Sequence, residues 1–219
     1  MTNTTNQSPS LKLEEISETL RIYQQKGVFS YGTDAVLLSA YAASFMRFSS
    51  KRTLFDLCSG TGIIGLMLLD KFRDGGKLSV SAVEINKDAC TLSRMSADCG
   101  LMCEDDYKTV ARHEILCNLE DIFKAAFHLL KTGGTAFVVY RPDRLSTLFA
   151  SARAAHFEIK NMTFVHSRSD SESKLVLCAA RKNAREGLKI GKPFVMYRSG
   201  EEYSEEYLYV REKGEMRFE

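Results

Sequence analysis

Short apolar runs alternate along this chain with longer stretches in which apolar residues recur every three or four positions. The apolar runs, rich in Val, Ile, Leu and Phe, predict strands at 53–57, 78–85, 135–141, 157–166 and 174–181. The periodic stretches predict helices at 63–72, 87–99, 106–131 (with one break) and 145–155. Strands that alternate with helices indicate an α/β fold with a doubly wound, mainly parallel sheet.

The chain before the first of these strands is less regular. Residues 11–25 are polar with spaced leucines, a pattern that fits a short helix or a strand and turn. A helix follows, which Thr33 or Asp34 can cap. Its apolar residues at helical spacing are Leu38, Tyr41, Ala42 and Phe45. Near the other end of the chain, the polar stretch "SRSDSES" between the last two strands predicts an antiparallel hairpin that closes one edge of the sheet.

The composition is that of an ordinary globular protein, with 44% hydrophobic and 26% charged residues among 219. We expect residues 1–10 to be disordered and 11–219 to form one domain. Within that domain, 11–50 is a lead-in, 51–182 the core and 183–219 a C-terminal extension. The first ten residues lack the order of a signal peptide, and no run reaches roughly 18 apolar residues. We therefore expect a cytoplasmic protein without a membrane partner, and we assume a monomer.

The six cysteines do not predict a disulfide framework or a metal site. A chain without a secretion signal is expected to keep its thiols reduced. Cys90, Cys99 and Cys103 are close in sequence, but no CxxC pair occurs and the nearest histidine, His113, lies ten residues further on. We expect buried or idle thiols and no bound metal. The net charge of +2 neither requires nor excludes a nucleic-acid partner.

The most informative stretch is a glycine-rich loop between a predicted strand and a predicted helix. Residues 60–65 read "GTGIIG", the spacing of a dinucleotide-binding loop. Such a loop lets backbone N–H groups approach a ligand at the positive end of the helix. Glu84 ends the next strand, 19 residues after Gly65, where a carboxylate can accept hydrogen bonds from ribose hydroxyls. The alternative is a structural glycine turn with a solvated glutamate.

Asp56 decides which ligand fits this loop better. It lies four residues before the first loop glycine, where its charge would repel a pyrophosphate. The same carboxylate suits S-adenosylmethionine, which carries an ammonium and a sulfonium and no phosphate. An NAD-dependent oxidoreductase is the alternative, although the sequence shows no catalytic Tyr-x-x-x-Lys or paired histidine and acid.

Several segments resemble a known family. "DLCSGTGIIGL" followed by "AVEI" resembles motifs one and two of class I S-adenosylmethionine-dependent methyltransferases, which have a Rossmann-like doubly wound sheet. Four more specific segments resemble, in order, the bacterial tRNA(Val) adenine-N6-methyltransferase-like group. They are "GVFSYGTDAVLLSAYA", "ARHEILCNLEDIFKAAFHLLKTGG", "RPDRL" and "GLKIGKPFVMYRSGEEYSEEY". This resemblance extends from about Leu13 to the last residue.

The resemblance implies an enzyme that uses S-adenosyl-L-methionine to methylate N6 of an adenine in tRNA. Asp56 would lie in the pocket for the methionine end, Glu84 would hold the ribose, and the lead-in would cover the cofactor. The expected cofactor residues are Phe29, Ser30, Asp34, Asp56, Cys58, Gly60, Gly62, Glu84 and Ile85. Core packing is the alternative for Phe29, and a helix cap is the alternative for Asp34.

The same resemblance exposes a missing motif. Its members have a strand that ends in Asn-Pro-Pro-Tyr, where the target amine is bound. Here the three prolines, Pro9, Pro142 and Pro193, are never adjacent, so no catalytic residue is assigned. Between Leu101 and Asp105 there is no room for two further strands, which need roughly thirty residues. Central strands are therefore expected to be missing, through either an omitted segment or a real deletion, and a catalytically dead cofactor-binding remnant is the alternative function.

The second half of the chain is basic enough to follow a phosphate backbone. Residues 181–192 hold five basic residues and one acid, Glu186. We expect tRNA or another RNA to contact Arg141, Arg144, Arg185 and Lys189, with a solvated surface as the alternative. The four glutamates between 201 and 206 reverse the charge, so we do not expect the tail to contact RNA.

Overall fold

The computed structural model describes residues 11–28, 30–47, 50–75, 77–99, 107–111 and 118–218. Its strands are β1 (Leu11–Glu15), β2 (Arg21–Gln25), β3 (Arg52–Leu57), β4 (Leu78–Glu84), β5 (Tyr107–Ala111), β6 (Thr135–Tyr140), β7 (Phe157–His166), β8 (Ser173–Lys182), β9 (Lys189–Ile190), β10 (Phe194–Val195), β11 (Tyr197–Ser199) and β12 (Glu202–Tyr203). Its helices are α1 (Thr33–Phe45), α2 (Ile63–Lys71), α3 (Lys87–Cys99), α4 (Leu119–Leu129), α5 (Leu145–Ala154) and α6 (Glu205–Lys213).

Two compact units make up the chain. The first comprises residues 1–32 and 48–114, and the second comprises residues 33–47 and 115–219. The predicted alternation of strands and helices is confirmed, and the bounds predicted for α3 and β7 agree with the structure. In the part of the chain that the structure describes, no helix is both long enough and apolar enough to cross a membrane.

The sheet of the first unit is parallel, in the order β3-β4-β5. In its central strand, β4, buried and half-buried residues alternate regularly, whereas the first two residues of β3 are exposed. Val80 on β4 is opposite Leu54 on β3 and opposite Tyr107 on β5. Among the described residues, β3 pairs with no strand on its other side.

The strand β5 corrects one prediction. A helix was expected over 106–131, but Tyr107–Ala111 pairs with β4 as a strand, and the helix, α4, begins only at Leu119. Tyr, Thr and Val in "YKTVA" favour extended backbone. The helix was predicted over the whole stretch because of the alanines later in it. One more strand therefore follows α3 than was expected. The predicted break between Leu101 and Asp105 lies outside the described residues.

A hairpin of β1 and β2 completes the first unit. Of the two structures that fitted residues 11–25, the strands and turn are therefore present. The hairpin is tied to α3 by the Tyr23 amide, which donates to Ser96 Oγ at 2.9 Å. Its turn is tied to the end of α2, because Ser17 and Thr19 donate to the Asp70 carboxylate at 2.7 and 2.6 Å. Ile22 on β2 is fully buried.

The second unit contains a mixed sheet in the order β10-β7-β8-β6, with β9 also paired to β7. The predicted hairpin is confirmed, since β7 and β8 are antiparallel. β8 also pairs antiparallel with β6, and β7 also pairs with β9 and β10, so both strands of the hairpin are interior. The prediction that the hairpin closes one edge of the sheet is therefore wrong. The large buried side chains of this unit include Phe123, Leu148, Phe157 and Leu177.

α1 belongs to the second unit, and most of its predicted apolar face is buried. Leu38, Tyr41 and Ala42 are buried, whereas Phe45 is partly exposed. Tyr41 packs edge-on against Phe137 of β6, at 6.3 Å between ring centroids. The C-terminal elements β9 to β12 and α6 were not predicted from the sequence.

Candidate cofactor site

The glycine loop of the first unit connects β3 to α2 through residues with left-handed backbone. Cys58, Gly60 and Gly62 have φ angles of 59°, 54° and 79°, a region that glycine enters without steric cost. The Ser59 amide donates to the Val83 carbonyl on β4 at 3.1 Å, and the Gly62 amide donates to the Ser59 carbonyl at 2.8 Å. These bonds hold the loop across the C-terminal ends of β3 and β4, the edge at which open α/β sheets bind ligands.

Asp56 lies next to the end of β3 and is only 7% exposed. One carboxylate oxygen accepts a hydrogen bond from the Gly65 amide in the first turn of α2, at 3.1 Å. Burial raises the pKa of Asp56 to about 7, with a further rise from the Glu84 charge and a partly offsetting effect of the Gly65 amide. A buried carboxylate with one donor is poised to gain from a cation brought close to it.

Glu84, the last residue of β4, receives three hydrogen bonds where Asp56 receives one. Its Oε2 accepts from the Gly60 amide at 2.8 Å. Its Oε1 accepts from the amides of Ile85 and Asn86, each at 2.9 Å. These three N–H groups stabilise its negative charge although the residue is only 9% exposed. The second predicted acid therefore lies directly against the loop.

Two features of the loop fit a ligand with polar groups. Ser59 is 5% exposed, and its hydroxyl has no hydrogen-bond partner among the described residues. Buried hydroxyls normally have a partner, so this one is available to a bound molecule. A Cβ placed on Gly60 would meet no atom within 4 Å, so space is open beside the loop. Both features, together with the two carboxylates, fit a cofactor that carries hydroxyls and a cationic end.

The remaining residues of the predicted cofactor set are dispersed. Cys58 is exposed in the loop and Ile85 is 49% exposed directly after Glu84. Ser30 is exposed before α1, and Phe29 lies outside the described residues. Asp34 lies in the second unit, in the first turn of a helix that begins at Thr33. In that turn its carboxylate is favoured by the helix dipole.

Ser59 and Thr61 are buried loop residues that the sequence analysis did not single out. Both lie between residues that were singled out. The spacing of the motif alone could not show whether these intervening residues have a function. The signal that could have identified them is chemical. Each carries a hydroxyl group, and each lies in the loop between residues with left-handed backbone.

The predicted RNA-contacting residues all lie in the second unit, and they differ in how they are paired. Arg141 binds the Asp143 carboxylate through two nitrogen atoms, at 3.0 and 2.9 Å. Arg144 is exposed at the start of α5. Arg185 and Lys189 are exposed, and their side chains make no hydrogen bond or ion pair with a described residue.

No disulfide joins the described cysteines, Cys58, Cys90, Cys99 and Cys178. Cys90 is buried, and Cys99 Sγ lies 3.4 Å from the hydroxyl oxygen of Tyr23. Cys103 and His113, the other members of the group considered for zinc, lie outside the described residues. Within the described ranges, no group of three His, Cys, Asp or Glu side chains could hold a metal ion.

Comparisons with known proteins find methyltransferases similar to this chain in sequence and in fold. A tRNA1(Val) (adenine(37)-N6)-methyltransferase of Phocaeicola vulgatus is 23% identical over 193 residues, covering 72% of this chain and 79% of that protein. The protein of the same name from Porphyromonas gingivalis is 25% identical over 186 residues, covering 67% and 72%. These relatives confirm the resemblance to the tRNA(Val) adenine-N6-methyltransferase-like group. No protein-family model matches the chain.

The fold is that of class I methyltransferases. The crystal structure of Atu636 from Agrobacterium tumefaciens, a predicted O-methyltransferase, superposes with a TM-score of 0.67 at 17% identity. The superposition covers 84% of this chain and 98% of that one. At this identity the likeness establishes the fold alone.

The length of the alignments carries further information. The alignment with the P. vulgatus protein is 193 residues long, which is more than 72% of a 219-residue chain can provide. The same holds for the P. gingivalis protein. Both relatives therefore contain residues, inside the aligned region, that have no counterpart in this chain.

Proposed function

We propose that this chain binds S-adenosyl-L-methionine at the glycine loop of its first unit and is an S-adenosylmethionine-dependent methyltransferase. The observation that carries the proposal is the arrangement of the two buried acids, Asp56 and Glu84, on either side of a loop with an unpaired buried hydroxyl. The class I methyltransferase fold and the named relatives support it.

Each residue of the loop has a distinct role in this proposal. Asp56 would hold the cationic amino-acid end, and its buried carboxylate would become fully ionised there. Glu84 would accept hydrogen bonds from the ribose hydroxyls. Gly60 and Gly62 would keep the backbone close to the ligand without an intervening side chain. When bound, the cofactor supplies an electrophilic methyl group attached to its sulfonium.

We further propose that the methyl acceptor is N6 of an adenine in tRNA. The support is the name shared by two relatives, each aligned with two thirds or more of this chain. Exposed basic residues on the second unit, Arg144, Arg185 and Lys189, are compatible with a polyanionic substrate. Arg141 contributes less, because Asp143 already neutralises it.

A second candidate is a cofactor-binding protein that has lost catalysis. The sequence contains no Asn-Pro-Pro-Tyr, and β3 lacks a second neighbouring strand among the described residues. Both relatives also contain residues that have no counterpart in this chain, which favours the same candidate. An NAD-dependent oxidoreductase has less support, since Asp56 is buried where a pyrophosphate would be repelled.

Calorimetric titration of the purified chain with S-adenosylhomocysteine and, separately, with NAD tests the cofactor. We expect binding of S-adenosylhomocysteine with a dissociation constant in the micromolar range and no saturable binding of NAD. Asp56→Asn should weaken this binding about tenfold or more, because the ammonium loses its ionic partner. Asp98→Asn, at an exposed position of α3, is the matched control.

Transfer of a labelled methyl group to a transcribed valine tRNA, followed by nucleoside analysis for N6-methyladenosine, tests the activity. Formation of that nucleoside supports the methyltransferase. Binding of S-adenosylhomocysteine without any transfer supports the inactive remnant. Binding of NAD in its place would overturn both.

A further inference from the structure

We propose that residues 185–192 of the second unit, here named the β9 segment, form a rigid ridge that binds the phosphate backbone of the RNA substrate. This inference rests on the proposed function, in which RNA is the methyl acceptor. It goes further by identifying which of the many basic residues hold the RNA and why their backbone is fixed in place.

Lys160 on β7 anchors the start of the β9 segment. Its ammonium group donates to the carbonyls of Arg185 and Glu186, at 2.9 and 3.0 Å. Gly187 has a φ angle of 121°, and a Cβ there would lie 3.2 Å from the same ammonium nitrogen. The glycine therefore leaves room for the ammonium group, and Lys160 alone holds two successive peptide groups in place.

The only acid of the β9 segment pairs with a residue outside it. Glu186 pairs with Arg153 of α5 at 3.2 Å, and Arg153 also pairs with Glu158 at 2.9 Å. This pair is exposed and contributes little to stability. Its effect on the surface potential is larger, because Arg153 offsets part of the negative charge of Glu186 beside the cations of the segment.

The second half of the segment is fixed by strand pairing. Lys189 and Ile190 pair in parallel with Asn161 and Met162 of β7. The Gly191 amide then donates to the Met162 carbonyl at 2.8 Å. The backbone runs so close to β7 here that a Cβ on Gly191 would lie 2.9 Å from Thr163 Oγ1.

Three cationic side chains on this fixed backbone have no partner among the described residues. Arg185, Lys189 and Lys192 are exposed, and their side chains form no ion pair or hydrogen bond with a described residue. The two other basic residues nearby are used internally. Arg181 donates to the Gly133 carbonyl, and Lys182 donates to the carbonyls of Phe127 and Leu130 at the end of α4.

Unpaired cations on a preorganised backbone match a repeating anion such as a phosphodiester chain. Fixing the backbone beforehand lowers the entropy lost when the ligand binds. Leu188 and Ile190, 39% and 60% exposed, alternate with the cations and can pack against sugar or base edges. Membrane-surface anchors present a long apolar helical face, whereas this segment exposes two apolar side chains, one of them on the two-residue strand β9. The chemistry therefore favours RNA over a lipid surface.

The test is binding of a fluorescent valine tRNA transcript, measured by anisotropy from 50 to 300 mM KCl without S-adenosylmethionine. The variant replaces the three cations with glutamine (R185Q, K189Q, K192Q). The control makes the same charge change at three exposed lysines of the same unit (K124Q, K131Q, K174Q). We expect the first variant to bind about tenfold more weakly at 100 mM KCl. Its salt slope should fall by about 2 to 3, because three phosphate contacts are lost.

The proposal is overturned if both triple variants weaken binding equally, or if the salt slope of the first variant is unchanged. It is also overturned if the first variant keeps tRNA binding but loses binding to phosphatidylglycerol–phosphatidylcholine vesicles, which would assign the segment to a membrane surface. Titration with S-adenosylhomocysteine, unaffected by these changes, is the folding control. RNA binding is measured without the cofactor, so a chain that fails to transfer a methyl group can still pass or fail this binding test.

Discussion

Asp56 and Glu84 lie at the same end of adjacent parallel strands, yet they receive very different support. Three amides donate to Glu84 and one donates to Asp56. Two buried carboxylates close together are costly when both are ionised. Burial is the main cause of the raised pKa of Asp56, and the charge of Glu84 raises it further, while the single Gly65 amide offsets only part of the rise.

A pH dependence of stability follows from Asp56. Its pKa rises from 3.8 to about 7 on folding, so between these values the folded chain holds a proton that the unfolded chain releases. The contribution of Asp56 to the free energy of unfolding is therefore complete below about pH 4 and is lost as the pH rises through 7. It is on the order of 2 kcal/mol or more. Urea unfolding at pH 5 and pH 8 measures it.

The Asp56→Asn variant should show a smaller loss of stability between pH 5 and pH 8 than the parent chain, because asparagine does not ionise. Asp98→Asn removes an exposed acid and should behave like the parent. Equal pH dependence in all three proteins would contradict the assignment to Asp56.

Ser59→Ala should have opposite effects on the free and the liganded protein. The Ser59 hydroxyl is buried without a partner, so its removal should leave the free protein as stable as before, or up to about 1 kcal/mol more stable. If the ligand supplies the missing partner, the dissociation constant of S-adenosylhomocysteine should rise about tenfold. Thermal melting and calorimetry measure the two effects.

Ser96→Ala is the matched comparison for this prediction. Ser96 Oγ donates to the Leu92 carbonyl at 2.7 Å and accepts from the Tyr23 amide. Removal of the Ser96 hydroxyl should lower the melting temperature and leave the affinity for S-adenosylhomocysteine unchanged. A Ser59 variant that melts lower and binds normally would show that the hydroxyl is structural.

At the level of elements, the sequence predicted what local pattern determines. The length and amphipathic spacing of α3 and the ten-residue run of β7 were sufficient to set their bounds. The strands β9, β10 and β12 have two residues each, too few for any periodicity, and they exist because β7 and β11 offer partners. α6 carried usable signals that were not applied, since Ser204 caps its start and Gly214 ends it with left-handed backbone.

The attachment of β9 to β7 can be tested with Gly191→Ala. The added Cβ would lie 2.9 Å from Thr163 Oγ1 and 3.6 Å from the Met162 carbonyl oxygen, so either the Thr163 side chain or the backbone beside it must shift. We expect faster hydrogen exchange at the Gly191 amide and weaker tRNA binding by several-fold, because the ridge is no longer preorganised. Exchange mass spectrometry and anisotropy measure the two changes.

Gly75→Ala serves as the neutral substitution, because a Cβ there meets no atom within 4 Å and the backbone has no left-handed φ. Adding Thr163→Ala to Gly191→Ala removes the atom in conflict and should restore slow exchange. If Gly191→Ala exchanges as slowly as the parent chain, the close packing of β9 on β7 is not what fixes the segment.

For the whole molecule, the sequence predicted the local structure of the glycine loop better than its surroundings. Asp56, Gly60 and Glu84 were identified from spacing, because a loop between adjacent strands is a local feature. The pairing of Arg141 with Asp143 was not identified, because the two-residue spacing of the pair is also common in solvated loops.

Intact mass and tryptic mapping test whether the chain is continuous between Leu101 and Asp105. For the sequence as printed, we expect a mass of 24.6 kDa and the peptide "MSADCGLMCEDDYK", residues 95–108. Both relatives contain residues without counterparts here, so this expectation separates a real deletion from an omitted segment. A mass larger by several kilodaltons, with this peptide absent, would contradict it and place the missing strand within the added segment.

Among the described residues β3 pairs only with β4, and this bears on how the protein behaves in concentrated solution. A strand carries hydrogen-bonding groups along both edges, and the β3 residues "TLF" are uncharged. An edge of this kind is a template for strands of other molecules. Turbidity and scattering should therefore rise with protein concentration faster than the net charge suggests. A short peptide of alternating apolar residues that pairs with this edge would then act as a solubilising additive.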